Sequence, residues 1–505
     1  MIALSGRRAG PVQIRAMCSE IPAFEYKRSG IKSMRKTKII ATIGPSSQDP
    51  AVLEQLIDAG MNCARLNFSH GTLEEHGAVI DNVRRIAEEK GKIVAILQDL
   101  GGIKLRLGEF DGLRQLVLGE SVSLAPQADS SRPDVLPFPQ PGVLRSLRPG
   151  DQVFISDGAV RLEVTGSDGL EVKTLVRNGG IVSSHKGVNL PGVAIDQPVL
   201  TPEDEIAIKF GAEKEVDWVA VSFVRNAADI LYARERLERA GSKALVMAKL
   251  ERSEGIENID SILETVDSIM VARGDMGVEI PMERVPIVQK EVVAKANEAA
   301  KISVIATQML ASMVTSPTPT RAEVSDITNA VLDGCDAIML SDETAVGQYP
   351  VQTIQVADAT IRETEKIYPY HKDLVPRGRT QAIASAAGRM VRSLGSKPIV
   401  ITSTGRAAFE VSRYRPDQDV LVFSHDESVL RRLSIGWGLY PVGVVPAATD
   451  IAKLVSLLIQ GALDSNLVTE DDVVTIVHGF LPGVSGTTNT IQVLDLKEFL
   501  GSILA

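Results

Sequence analysis

The chain has 505 residues, 44% hydrophobic and 23% charged, with 54 lysines and arginines against 64 acids and a net charge of −10. That length calls for about two to four domains, and the composition excludes the disordered and fibrous classes. The acidic balance argues against nucleic acid and anionic membrane as partners.

Three cysteines, Cys18, Cys63 and Cys335, stand far apart. They suggest neither a disulfide framework nor a metal cluster, which points to a reducing, cytoplasmic setting. No apolar run reaches the roughly 18 residues of a membrane helix, and the amino end lacks the apolar stretch of a secretory signal. Residues 1–33 are moderately basic and without periodicity, read either as a processed or flexible extension or as sequence ahead of a true start at Met34.

From Met34 on, short apolar runs alternate with amphipathic segments, the pattern of parallel strands joined by crossover helices. Eight runs stand out: 38–44, 62–68, 93–100, 218–224, 245–251, 268–275, 303–309 and 337–343. Helical patterns lie between them at 50–59, 72–89, 201–211 and 281–300. Eight such units predict a (β/α)8 barrel built from 34–108 and 198–366. Between Glu109 and Gln197 the composition turns to Gly, Pro, Val and Leu, with turn signals around short strands such as 152–155 and 170–175. That predicts a small β-barrel domain inserted after the third strand. A new α/β series over 380–505, with strands near 398–402, 420–424, 441–445, 473–478 and 490–496, predicts an open-sheet carboxyl-terminal domain.

Polar residues collect at the carboxyl ends of the barrel runs, where this fold carries its active site. They are Thr42, Arg65 with Asn67, Asp99, Ser222, Lys249 with Glu251, Arg273 with Asp275, Thr307 with Gln308, and Ser341 with Glu343. Glu251 and Asp275 end neighbouring strands, so their carboxylates can meet on one Mg2+ completed by water and phosphate. Lys249, two residues before Glu251, faces the same way and sets an ammonium beside that metal. Such a set suits a substrate bearing both carboxylate and phosphate. Arg65, Arg106 and Arg273 add positive charge, although Arg273 equally suits an ion pair within the barrel. Thr320, with Glu323 three residues on, reads as a helix cap whose amides could face a substrate carboxylate.

Several stretches, in this order and spacing, resemble the pyruvate kinase family: KTKIIATIGPSS at 36–47, MNCARLNFSHG at 61–71, HKGVNLPG at 185–192, LTPEDEIAIKFG at 200–211, MVARGDMGVEIP at 270–281, ATQMLASM at 306–313 and PTRAEVSDITNAVLDG at 319–334. The resemblance runs from Met34 to Ala505. It implies transfer of the phosphoryl group of phosphoenolpyruvate to ADP, giving pyruvate and ATP. By position it implies Lys249 as the transition-state lysine and Glu251 with Asp275 as Mg2+ ligands. Backbone amides of Gly274 and Asp275 would face the substrate, Arg65 would contact the phosphoryl group, and Thr307 would stand where the enolate is protonated. Thr42, Pro45, Asn67, His70, Arg106 and Lys186 match positions near the nucleotide. Asn67, Ser69, Asp99 and the Leu100 carbonyl match the family's K+ site. A homotetramer is implied by the resemblance alone.

The chain departs from the family pattern at 100–106, which reads LGGIKLR. Lys104 stands where potassium-dependent members carry glutamate, and Leu100 brings no hydroxyl, so turnover without K+ is expected. At 341–344 Asp342 replaces a glycine. Thr402-Ser403-Thr404-Gly405-Arg406 follows a strand and opens a helix, and the resemblance places a phosphorylated effector there with the loop 481–488, a sugar phosphate or AMP. A plain strand-to-helix turn is the alternative. A metabolite-sensing paralogue without catalysis would be expected to lack Lys249, Glu251 or Asp275, and all three are present. A different enolate-forming barrel enzyme would not need the stretches 36–47 and 186–192 around a nucleotide.

Overall fold

In the computed structural model, which describes residues 35–129, 131–194, 197–446, 450–479 and 488–503, the eight apolar runs form eight parallel strands of one closed barrel. They are β1 (Lys38–Thr42), β2 (Cys63–Asn67), β3 (Ala95–Asp99), β4 (Trp218–Val221), β5 (Leu245–Leu250), β6 (Ser268–Ala272), β7 (Ile302–Ala306) and β8 (Ala337–Leu340). Neighbours in sequence pair in space, and β8 closes on β1 with Lys38 opposite Ala337. The strands are shorter than the runs that predict them. Ser222, Glu251, Thr307 and Ser341 therefore lie just past the ladder at the carboxyl-terminal mouth, and Arg273 and Asp275 open a short helix there, Arg273–Glu279.

The opposite end of the barrel is tied by a repeated device. The residue before each even-numbered strand accepts an amide near the start of the preceding odd one: Asn62 from Ile39 at 3.0 Å, Asp217 from Ile96 at 2.8 Å, Asp267 from Val246 at 2.9 Å and Asp336 from Ser303 at 2.9 Å. Each side chain thus supplies a partner to a backbone donor that cannot go unpaired when buried.

Three helices begin at capping threonines, the expected Thr320 among them. Thr72, Thr201 and Thr320 each cap a helix in a full capping box, with Glu75, Asp204 and Glu323 returning the bond. The predicted helix at 281–300 is a 3-10 turn over Met282–Arg284 followed by Val285–Glu298. These helices pack Ile, Leu and Val against the outer faces of the strands in one continuous core.

The insertion carries a six-stranded sheet and a two-stranded one, Arg114–Leu116 with Gly180–Val182, around a core that includes Leu116, Val122, Leu162 and Val176. Its strand at Gln152–Ile155 falls where expected, whereas 170–175 moves to Val172–Asn178. Among the described residues its hydrogen-bond ladder does not close, so the expected small barrel is two sheets sharing one core.

By contacts the chain divides into Arg35–Tyr370 with Ser434–Gly438, and His371–Leu433 with the residues from Leu439 on. In the first unit Trp437 is fully buried, 5.5 Å from the Tyr368 ring centre, and its backbone amide donates to Asp336. The second unit holds a five-stranded sheet in the order Leu439–Val444, Val420–Ser424, Lys397–Ile401, Val473–Gly479 and Thr488–Asp495. The first four strands are parallel, and the last is an antiparallel edge.

Candidate active site

Lys249 and Glu251 leave β5 on one face, as a two-residue spacing requires. The Lys249 ammonium lies 3.0 Å from Glu251, 3.2 Å from Asp99 and 2.8 Å from the Ser222 hydroxyl. Burial works against the Lys249 charge, but Asp99 and Glu251 outweigh it and raise its pKa above the ordinary value, so the ammonium is permanent. Arg65 closes the other side: its Nε and Nη2 both lie 2.7 Å from Asp99 Oδ2. Asp99 is buried, which would raise its pKa, yet Lys249 and Arg65 hold it below the usual carboxylate range. Thr42, expected near the nucleotide, accepts from Arg65 at 2.9 Å and donates to the Leu340 carbonyl, so its hydroxyl steadies Arg65.

Glu251 and Asp275 line one cavity of about 480 Å3, whose wall also carries Lys104, Arg106 and Lys186. Glu251 is fixed by the Phe223 amide at 2.7 Å. Burial, then the field of Glu251, pushes Asp275 up to about 6. Two carboxylates that repel each other across a basic cavity fit one hard divalent cation. Among the described residues no three His, Cys, Asp or Glu gather as a protein cage, which leaves further coordination to water and phosphate oxygens.

A second cavity, about 1950 Å3, is lined by Gly274, Asp275, Thr307, Ser341 and the insertion's Asp157 and Arg161, among others. Thr307 and Gln308 hold φ of +73° and +55°. That conformation strains a β-branched residue and is kept only where neighbours enforce it. The enforcing group is Arg273, whose Nη2 donates to the Thr307 carbonyl at 2.8 Å while Asp326 takes the guanidinium with two bonds of 2.7 Å. The two readings of Arg273 are thereby settled in favour of the ion pair. Thr307 Oγ1 accepts from the Gly274 amide at 2.8 Å and donates to the Ala306 carbonyl. The Thr320 cap is complete, and Glu323 also receives both the amide and the hydroxyl of Ser312.

Of the residues expected around K+, Asn67 and Asp99 lie opposite each other on β2 and β3. Asn67 accepts from the Ser69 amide at 3.2 Å, Asp99 joins Arg65 to Lys249, and the Leu100 carbonyl accepts from Ser222 at 2.8 Å. Lys104 is exposed at the cavity rim, with Nζ donating to Ser69 Oγ at 3.1 Å. Burial, then the charge of Lys249, lowers its pKa, against the pull of Glu251 and Asp275. Arg106 donates to the His185 carbonyl at 2.9 Å and bridges Gly187, which places Lys186 on the cavity wall. Pro45 and His70 are exposed at the ends of β1 and β2.

Three groups escaped the sequence reading. Glu279 lines both cavities; burial, with Glu254 and Asp275 against the pull of Arg252, raises it to about 7. Asp157 adds its charge to that of Glu251 at Asp275. Arg252, next to Glu251, reaches the Val193 carbonyl of the insertion at 2.9 Å. The motif around Asp275 contained Glu279, but only folding sets it beside the insertion.

In the other unit, Thr402 Oγ1 accepts from the Gly405 amide at 3.0 Å, and Gly405 holds φ +92° before a helix over Arg406–Ser412. The loop at 481–487 lies outside the described residues, as does 1–34. No described helix is long and apolar enough to cross a membrane.

A fixed ammonium, a carboxylate pair and a rim of lysine and arginine suit a phosphoryl group in transfer, and with this barrel they define a phosphotransferase. The comparisons are more specific. Residues 34–354 match the pyruvate kinase barrel domain and 381–494 the pyruvate kinase alpha/beta domain. The chain is 42% identical over 479 residues to a pyruvate kinase of Sporosarcina psychrophila, covering 92% of this chain and 81% of that protein. It is 41% identical over 472 residues to one of Bacillus licheniformis, covering 91% and 80%. A crystal structure of a pyruvate kinase from Cryptosporidium parvum superposes with a TM-score of 0.85 at 32% identity, covering 91% of this chain and 96% of that one. The chain belongs to the pyruvate kinase family and is a kinase that takes phosphoenolpyruvate and ADP to pyruvate and ATP.

Proposed function

We propose that Lys249 is the residue on which phosphoryl transfer turns in this chain, with Glu251 and Asp275 as the ligands of a Mg2+ ion. The observation that carries this reading is the buried Lys249 ammonium held between Asp99 and Glu251, 2.8 Å from Ser222. An ammonium so fixed pays its reorganisation before the reaction begins and stabilises charge as it spreads over the moving phosphoryl oxygens. Mg2+, when bound, neutralises phosphate charge and orients the phosphoryl group. Arg65, steadied by Asp99 and Thr42, contacts the phosphoryl group. Gly274 and Asp275 offer backbone amides to the substrate, and Arg106 and Lys186 hold the nucleotide phosphates, with Pro45, Asn67 and His70 nearer the nucleoside. Thr307, fixed by Gly274 and Arg273, orients the proton donor to the enolate. Its hydroxyl is too weak an acid to act alone.

The insertion at 109–197 acts as the lid of the barrel at 34–108 and 198–366, and 380–505 as a regulatory domain. Closing the lid excludes water and so limits hydrolysis of the phosphate. Lys104 takes over the charge of K+, so the enzyme works without that ion. Residues 402–406 take a phosphorylated effector, a sugar phosphate or AMP, in a cytoplasmic homotetramer. A coupled assay for ATP formed from phosphoenolpyruvate and ADP tests the reading. Loss of Lys249 should remove the activity while the protein still binds phosphoenolpyruvate.

A further inference from the structure

Ser222 has no part in the roles given above, yet it is where three pieces of the site meet. It follows β4, is 2% exposed, and its hydroxyl carries two bonds: it accepts from Lys249 Nζ at 2.8 Å and donates to the Leu100 carbonyl at 2.8 Å. A serine hydroxyl has one proton. With that proton committed to Leu100, the oxygen lone pairs face Lys249. The aim of the ammonium therefore depends on where the Leu100 carbonyl points.

Leu100 directly follows β3 and opens the stem that leads out to the insertion. Its amide is held by the Ala220 carbonyl at 3.0 Å, so the start of the outgoing stem is anchored. The next two residues, Gly101 and Gly102, donate to Asp204 Oδ1 at 3.0 and 3.4 Å. The other oxygen of Asp204 accepts the Thr201 amide at 2.9 Å, where the chain returns to the barrel. One buried carboxylate thus holds both stems of the insertion together. Gly102, at φ +63°, packs against Ser222 so closely that a Cβ there would stand 2.9 Å from the Ser222 Cβ. Leu100, Gly102 and Ser222 form a continuous contact from the stem to Lys249.

We propose that Ser222 is a positioning residue that ties the lid stem to Lys249, so that the ammonium is aimed for transfer only when the stem is seated. The proposal rests on the assignment of Lys249 above. Asp99 and Glu251 keep the lysine charged in either case. What Ser222 adds is the direction of one of its three N–H groups. A swing of the lid that draws the Gly101 and Gly102 amides off Asp204 turns the peptide plane shared by Gly101 N–H and the Leu100 carbonyl, and releases the Ser222 proton to turn toward Lys249 in place of the lone pair. Turnover and lid position are coupled in this way without any change in the charge of the site.

The test is a double-mutant cycle with Ser222→Ala and Gly102→Ala, measured as kcat and KM for phosphoenolpyruvate, with a thermal melt of each variant. Ser222→Ala should lower kcat about tenfold, the worth of one directed hydrogen bond, and change KM less than about twofold. Gly102→Ala keeps the Lys249 and Ser222 side chains but drives a Cβ against Ser222 from the stem side, and should lower kcat by a similar factor. The double variant should be no slower than the slower single, because both break one link. Unchanged kcat in Ser222→Ala, or losses that multiply in the double variant, would overturn the proposal. Should Ser222→Ala fail to fold, Gly102→Ala decides by itself, since unchanged kcat there breaks the link equally. Wild type and Lys249→Met run in the same assay report separately on the underlying reading. If Lys249→Met stays fast, the assignment of Lys249 fails, whatever the cycle gives.

Discussion

Lys104 Nζ lies 3.1 Å from Ser69 Oγ, which puts a lysine ammonium among the residues that match a monovalent-cation site. At about 4 Å a unit charge is worth roughly 4 kcal/mol at an effective dielectric near 20, enough to stand in for the ion's electrostatic part. We expect full turnover in tetramethylammonium salts at matched ionic strength. Lys104→Glu should make the enzyme depend on added K+. A large activation of the wild type by K+ would show that Lys104 does not play this part.

Lys249→Met removes the one ammonium shared by Asp99 and Glu251. Charge that develops mainly in the transition state loses its partner, so kcat should fall by about two powers of ten or more, with phosphoenolpyruvate affinity far less affected. Single-turnover rates alongside equilibrium titration separate the two quantities. Glu251→Ala should instead raise the Mg2+ needed for half-maximal rate, or abolish turnover.

Asp275 titrates near 6 because of burial and Glu251. Above that value it is ionised and ready for a cation; below it, proton and metal compete. Half-saturating Mg2+ should therefore stay flat from pH 8 to 7 and climb steeply below about 6. The same shift means that ionising Asp275 costs the folded protein stability as pH rises from its ordinary value through about 6. Mg2+ should in consequence raise the melting temperature more at pH 7.5 than at pH 5. An equal gain at both would count against Asp275 as a ligand.

The amino end of the barrel offers a test of stability without chemistry. Asp217 is 1% exposed and accepts the Ile96 amide at 2.8 Å. Asp217→Ala leaves that buried donor unpaired, a loss of about 1–3 kcal/mol. Urea unfolding followed by the fluorescence of Trp218, the next residue, should show an earlier transition, while kcat of the folded enzyme stays as it was.

Much of this protein is decided by sequence order alone. Alternating apolar runs and amphipathic segments suffice for the barrel, because burying a β-branched strand on both faces and one stripe of each helix has few solutions. Glu251, Asp275 and Lys249 were legible for the same reason: strand ends in such a barrel converge, and a spacing of two keeps lysine and glutamate on one side. The caps at Thr72, Thr201 and Thr320 needed only local bonding, which sequence carries in full.

What the sequence left open depends on partners distant along the chain. Whether Arg273 faced substrate or an acid was settled by Asp326, 53 residues on, brought across the mouth by the packing of its helix on the barrel. Thr42, expected near the nucleotide, also takes a bond from Arg65 at its hydroxyl, a partner that only folding supplies. Ser222 reads as one polar residue among many at strand ends. Only the closing of β4 beside β3 puts its single proton on Leu100 and its lone pairs on Lys249, since a hydroxyl has no direction until its neighbours give it one.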